Sequence, residues 1–183
     1  YYATNGHEWT LSNSWLVYEI SECNWYSNAR WENSILCDEE NHYWSLMLGH
    51  NGLHGTLPPE LGLMDSIQQL DLRSNDLKGP LPFTLGLLSN LKRIDAAENV
   101  LTGHIPSEIG ILSDLAIVDI SSNNLTNTIP STLGQLSNIQ ELYLGTNTLE
   151  GPLPVDLASA SALEMLSLGS NLLNGTIPSA FAT

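Results

Sequence analysis

Aliphatic residues come along this chain in short alternating bursts, and the bursts return at a fixed interval. Leu46/Leu48, Leu70/Leu72, Ile94/Ala96, Val118/Ile120, Leu142/Leu144 and Leu166/Leu168 each flank one residue of the opposite face. That period of two predicts a strand with one side buried. Three residues beyond each pair stands an asparagine. Asn51, Asn75, Asn99, Asn123, Asn147 and Asn171 lie 24 residues apart with no insertion or deletion. Two residues past the asparagine comes Leu53, Leu77, Leu101, Leu125, Leu149 or Leu173. Four positions later an aliphatic residue precedes a proline, as in Leu57-Pro58 and Ile105-Pro106.

A unit of 24 residues cannot bury this many aliphatic side chains alone. Stacked copies can, with parallel strands about 4.8 Å apart. The pattern therefore predicts an α/β solenoid with one parallel sheet. Each asparagine ends its strand in a buried turn whose backbone groups need partners, and an amide side chain supplies donors and an acceptor. The six asparagines are expected to form a ladder along the stack. Gly55, Gly79, Gly103, Gly151 and Gly175 suit a turn needing positive φ, and Asn127 takes that place in the fourth copy.

Copies such as "NVLTGHIPSEIGILSDLAIVDI" closely resemble the plant-type extracellular leucine-rich repeat, found in receptor-like kinase ectodomains, receptor-like proteins, polygalacturonase inhibitors and related algal and stramenopile surface proteins. The resemblance implies a right-handed superhelix with the parallel sheet on its concave face. It divides the chain into an N-terminal cap, residues 1–43, and six repeats, residues 44–183, with no C-terminal cap. The segment "WTLSNSWLVYEISECNWYSNARWENSILC" resembles the family's Trp-rich helical cap with its cysteine pair, although the second cysteine comes later than in the plant pattern. All five tryptophans fall in the first 44 residues, where large aromatics can cover the open leucine face of the first repeat. In that setting Cys23 and Cys37 are expected to be bridged, as in a secreted protein.

Composition narrows the partners. Of 183 residues, 42% are hydrophobic, which excludes a disordered tail, yet no apolar run is long enough to span a bilayer. Any membrane attachment would come through a segment absent from this chain. No signal peptide is visible at "YYATNGHEW", consistent with a mature or trimmed chain. Twenty acids against five bases give a net charge of −15, so a phosphate backbone meets repulsion and nucleic acid is excluded as a partner. The sequons Asn124-Leu-Thr126 and Asn174-Gly-Thr176 favour a secretory route, and an extracellular or cell-surface location is expected.

Residues six, four and two before each asparagine are expected to face solvent on the concave side. The middle row reads Met47, Asp71, Asp95, Asp119, Tyr143, Ser167. Three stacked aspartates invite comparison with a glycosidase carboxylate pair or a calcium site. Arg73 and Arg93 stand close enough in sequence to neutralise two of them. His50 and His54 lack a third ligand at metal spacing, and no activated serine or phosphate-binding glycine loop appears. No enzyme, cofactor or metal is expected. The expected ligand surface comprises Asp71, Arg73, Arg93, Asp95, Ile117, Asp119, Glu141, Tyr143 and Met165, with Ile117, Tyr143 and Met165 as an apolar patch beside charges. The leading expectation is a receptor or adhesion module binding a peptide or protein. An inhibitor of a wall-degrading enzyme comes second. Ice or mineral binding comes last, because its best row, Thr56, Pro80, His104, Thr128, Pro152, Thr176, is half threonine.

Overall fold

The computed structural model describes residues 34–37 and 43–182. The expected tryptophan-rich helix and Cys23 lie outside the described residues. What is described of the cap is a strand, β1 (Ser34–Cys37), antiparallel to β2 (Tyr43–Met47).

From β2 onward the chain coils once every 24 residues. Each burst of alternation becomes one strand of a parallel sheet: β2, β4 (Gln69–Asp71), β6 (Arg93–Asp95), β8 (Ile117–Asp119), β10 (Glu141–Tyr143) and β12 (Met165–Ser167). Register follows the repeat, with Leu46, Leu70, Ile94, Val118, Leu142 and Leu166 side by side. Their inward side chains form the core with Leu53, Leu77, Leu101, Leu125 and Leu149 of the same coils.

A second sheet runs along the flank, which the alternation pattern did not predict. It comprises β3 (His54–Thr56), β5 (Asp76–Pro80), β7 (Val100–Gly103) and β9 (Asn124–Leu125). A further pair, β11 (Glu150–Pro152) and β13 (Leu172–Asn174), extends the same side, with Thr128 bridging to Glu150. The third side of each coil is a short 3-10 helix begun by the repeat proline: Pro59–Leu63, Phe83–Leu87, Ser107–Ile111, Ser131–Gln135, Val155–Ser159 and Ser179–Ala182. Pro58, Pro82, Pro106, Pro130 and Pro154 hold extended φ/ψ at the N-cap of the first five, and proline gives up no ladder hydrogen bond there.

Glycine at the fourth position of the first four of these 3-10 helices sets how closely coils stack. A Cβ added to Gly110 would lie 2.3 Å from the Thr132 carbonyl oxygen, and one on Gly134 2.0 Å from that of Asp156. Neither contact is sterically possible, so the backbone approach requires glycine.

Candidate functional site

The concave face is held by the asparagines. Asn99 Oδ1 accepts the Leu77 N–H at 3.0 Å, while Nδ2 donates to the carbonyls of Leu72, Ala96 and Ala97. Asn75, Asn123, Asn147 and Asn171 bond in the same way, each reaching back to the preceding coil. The rungs run from side chain to backbone. The residue before each asparagine is left-handed: His50, Ser74, Glu98, Ser122, Thr146 and Ser170 have φ of 50° to 58°. None is glycine, so sequence gave no sign of this turn.

Two rows of solvent-side residues cross the sheet in register. One reads Ser45, Gln69, Arg93, Ile117, Glu141, Met165, and the next Met47, Asp71, Asp95, Asp119, Tyr143, Ser167. The expectation that Asp71 and Asp95 present their carboxylates to a ligand is corrected here. They are 6% and 4% exposed. Each turns back on its own strand end: Asp71 Oδ1 accepts the Arg73 N–H at 3.1 Å, and Asp95 Oδ1 accepts the Ala97 N–H at 3.3 Å. Arg73 Nε lies 3.5 Å from Asp71, and an Arg93 guanidinium nitrogen 3.0 Å from Asp95. Burial raises the Asp71 carboxyl above its ordinary 3.8, opposed by the Arg73 N–H and guanidinium, with Asp95 pushing further upward.

Asp119 differs. It is only half-buried, and its Oδ1 accepts both the Ser121 N–H at 3.0 Å and the Ser121 hydroxyl at 2.6 Å. Tyr143 sits beside Asp119 in register, and Glu141 beside Ile117. Desolvation, then the Glu141 and Asp119 carboxylates, raise the Tyr143 phenol above its ordinary 10.0. Met165 on the next strand is half exposed. The structure thus brings Ile117, Asp119, Glu141, Tyr143 and Met165 onto three adjacent strands as an accessible surface.

Elsewhere, Cys37 is disulfide-bonded. Asn124 and Asn174 are exposed on the second sheet, as are Thr56, Pro80, His104, Thr128, Pro152 and Thr176 along its rim. A shallow groove of about 440 Å³, lined by Thr56, Pro59, Pro80, Phe83, His104 and Pro106 among others, lies between that sheet and the 3-10 helices. Among the described residues no three His, Cys, Asp or Glu side chains converge to hold a metal, and no helix is long and apolar enough to cross a membrane.

Comparison with known proteins gives the same architecture. Family models described as leucine-rich repeats match residues 113–181 and 66–88. No curated protein matches the chain. Among solved structures, a chain of the BIR3–SERK2 complex from Arabidopsis thaliana is 31% identical over 93% of this chain and 86% of its own, with a TM-score of 0.73. The Arabidopsis receptor kinase HAESA, in complex with the peptide hormone IDA and the co-receptor SERK1, is 31% identical over 89% of this chain, with a TM-score of 0.80. The present chain spans 27% of that match. A plant ice-binding protein is 30% identical over 94% of this chain and 54% of its own, with a TM-score of 0.83.

Proposed function

The chain belongs to the plant-type extracellular leucine-rich repeat family, and we propose that it is a recognition module binding a peptide or protein on its concave face. The carrying observation is the accessible apolar and charged surface on β8, β10 and β12, built from Ile117, Asp119, Glu141, Tyr143 and Met165. Its apolar residues Ile117, Tyr143 and Met165 are interleaved with the carboxylates of Asp119 and Glu141, a mixed surface suited to a ligand with both apolar and polar groups. Ser121, Gly145 and Gly169 stand two residues past the ends of the same three strands, and small residues admit an extended backbone. The hormone-bound receptor kinase supports the reading through its likeness in fold. On this reading the protein works outside the cell or at its surface, binds rather than catalyses, pairs Cys37 with Cys23, and carries glycans at Asn124 and Asn174.

The likeness to an ice-binding protein raises a second reading, for which the exposed rows of the second sheet are the candidate surface. The exposed rows there are broken by Lys78, His104 and Glu150, whereas matching an ice lattice needs a repeating row. An enzyme-inhibitor role rests on family resemblance alone.

The test is calorimetric titration of a peptide selected on the intact chain from a random displayed library. Tyr143→Ala is expected to cost about 2 kcal/mol of binding, as truncated aromatic anchors do, and Ile117→Ala somewhat less. Glu108→Ala and Asp156→Ala, on the 3-10 side, are expected to change little. Losses confined to the 3-10 variants would sink the concave reading.

A further inference from the structure

We propose that the concave face seats one cationic side chain, an arginine or lysine of an extended peptide, against Asp119 between Ile117 and Tyr143. The inference rests on the recognition reading above and adds the charge of the ligand.

The chain supplies its own comparison. Three aspartates occupy equivalent places on β4, β6 and β8, side by side in register. Asp71 has a guanidinium from two residues after it, Arg73, and Asp95 has one from two residues before it, Arg93. The same two places around Asp119 hold Ser121 and Ile117. No lysine or arginine follows Arg93 anywhere in the sequence. Arg93 itself lies one strand away, but its guanidinium is engaged by Asp95 at 3.0 Å. Among the described residues, the third aspartate therefore keeps the carboxylate of the first two and lacks their internal cation.

Its surroundings suit a basic side chain from outside. Asp119 Oδ1 is fixed by two donors from Ser121, which leaves Oδ2 for a charge-assisted bond. Tyr143, in register with Asp119 on the next strand, supplies an aromatic ring of the kind that attracts a cation, and Ile117, two residues before Asp119, supplies aliphatic surface suited to an alkyl stem. Glu141 beside Ile117 adds a second negative charge. An anionic ligand group would face both carboxylates in a chain of net charge −15, so charge complementarity selects a cation.

The experiment uses the intact chain and a random linear peptide library displayed on phage. Selected peptides are expected to share an arginine or lysine at one aligned position. Replacing that residue in a synthetic peptide (arginine by neutral citrulline, or lysine by norleucine) is expected to weaken binding about tenfold, and Asp119→Asn to weaken the parent peptide about as much. The two changes together are expected to cost no more than either alone. Ser121→Arg, which copies the place of Arg73, is expected to abolish the preference by supplying the cation internally. Asn at 119 retains the oxygen that accepts the Ser121 N–H, so thermal melting is expected to hold. Selected peptides with no shared basic residue, or effects that simply add, would overturn the proposal. If Tyr143→Ala weakens binding while Asp119→Asn does not, the cation claim falls and the concave reading stands. If neither change matters, or no peptide is selected, both fall.

Discussion

At the scale of single residues, two polar side chains show how burial is tolerated in a stack this narrow. Asn99 satisfies one backbone N–H and three carbonyls through its amide. Asn99→Ala leaves the Leu77 N–H without its acceptor, and an orphaned buried donor costs about 1–3 kcal/mol, while the carbonyls of Leu72, Ala96 and Ala97 keep donors from Asn75, Asn123 and Ser74. We expect an overall loss of about 3 kcal/mol in urea unfolding, the orphaned donor adding to the three lost amide hydrogen bonds. A loss too small to measure would mean that water replaces the amide. Asp71 works in the other sense. Its folded pKa is raised, chiefly by burial, so within a window opening upward from 3.8 the folded chain binds more protons than the unfolded one. Asp71 therefore subtracts stability as pH rises through that window. Asp71→Asn removes the titration, and its stability relative to the parent is expected to rise with pH there. A gap that shrinks over the same range would show that Arg73 outweighs burial.

At the scale of elements, the sequence was most legible where chemistry is periodic in side chains. The alternation at Leu70/Leu72 and its copies gave the concave strands, and the positive φ of Gly79, Gly103 and Asn127 is where the turn glycines implied it. The second sheet was not legible, because its strands are short and joined by backbone hydrogen bonds between Gly- and Pro-containing segments such as Asp76–Pro80. Those segments read as turns. The stacking role of Gly62, Gly86, Gly110 and Gly134 was equally hidden, since it depends on the neighbouring coil. Gly110→Ala places a methyl group 2.3 Å from the Thr132 carbonyl and must force two coils apart. Overpacking of this kind costs about 1–3 kcal/mol, measurable as a fall in Tm. Alanine at 169, where an added Cβ meets nothing within 4 Å, is the control and is expected to be neutral. At the candidate site, residue types were legible and partners were not. The pull of Asp71 and Asp95 into their own strand ends depends on a 3 Å geometry that spacing alone does not contain.

At the scale of the whole molecule, stability in a stack of coils is a sum of neighbour contacts, and burial here is uneven along it. Leu101, Leu125 and Leu149 are fully buried, whereas Leu173 is half-buried and Ile177 is 80% exposed. Hydrogen exchange of this chain is therefore expected to be fastest in residues 165–182 and slowest around β6 and β8. Uniform protection to residue 182 would mean that another molecule covers the last coil in solution. The same quasi-linear build leaves the concave surface rigid while its side chains vary freely, which is how one architecture serves different ligands. The central claim, that recognition occurs on that surface, is tested most directly by NMR chemical-shift mapping. The labelled chain is titrated with a peptide selected from the displayed library. Shifts concentrated at Ile117, Asp119, Glu141, Tyr143 and Met165 are the predicted result. Shifts concentrated on the second sheet, at Lys78, Thr102 and Asn124, with the concave residues unmoved, would contradict it.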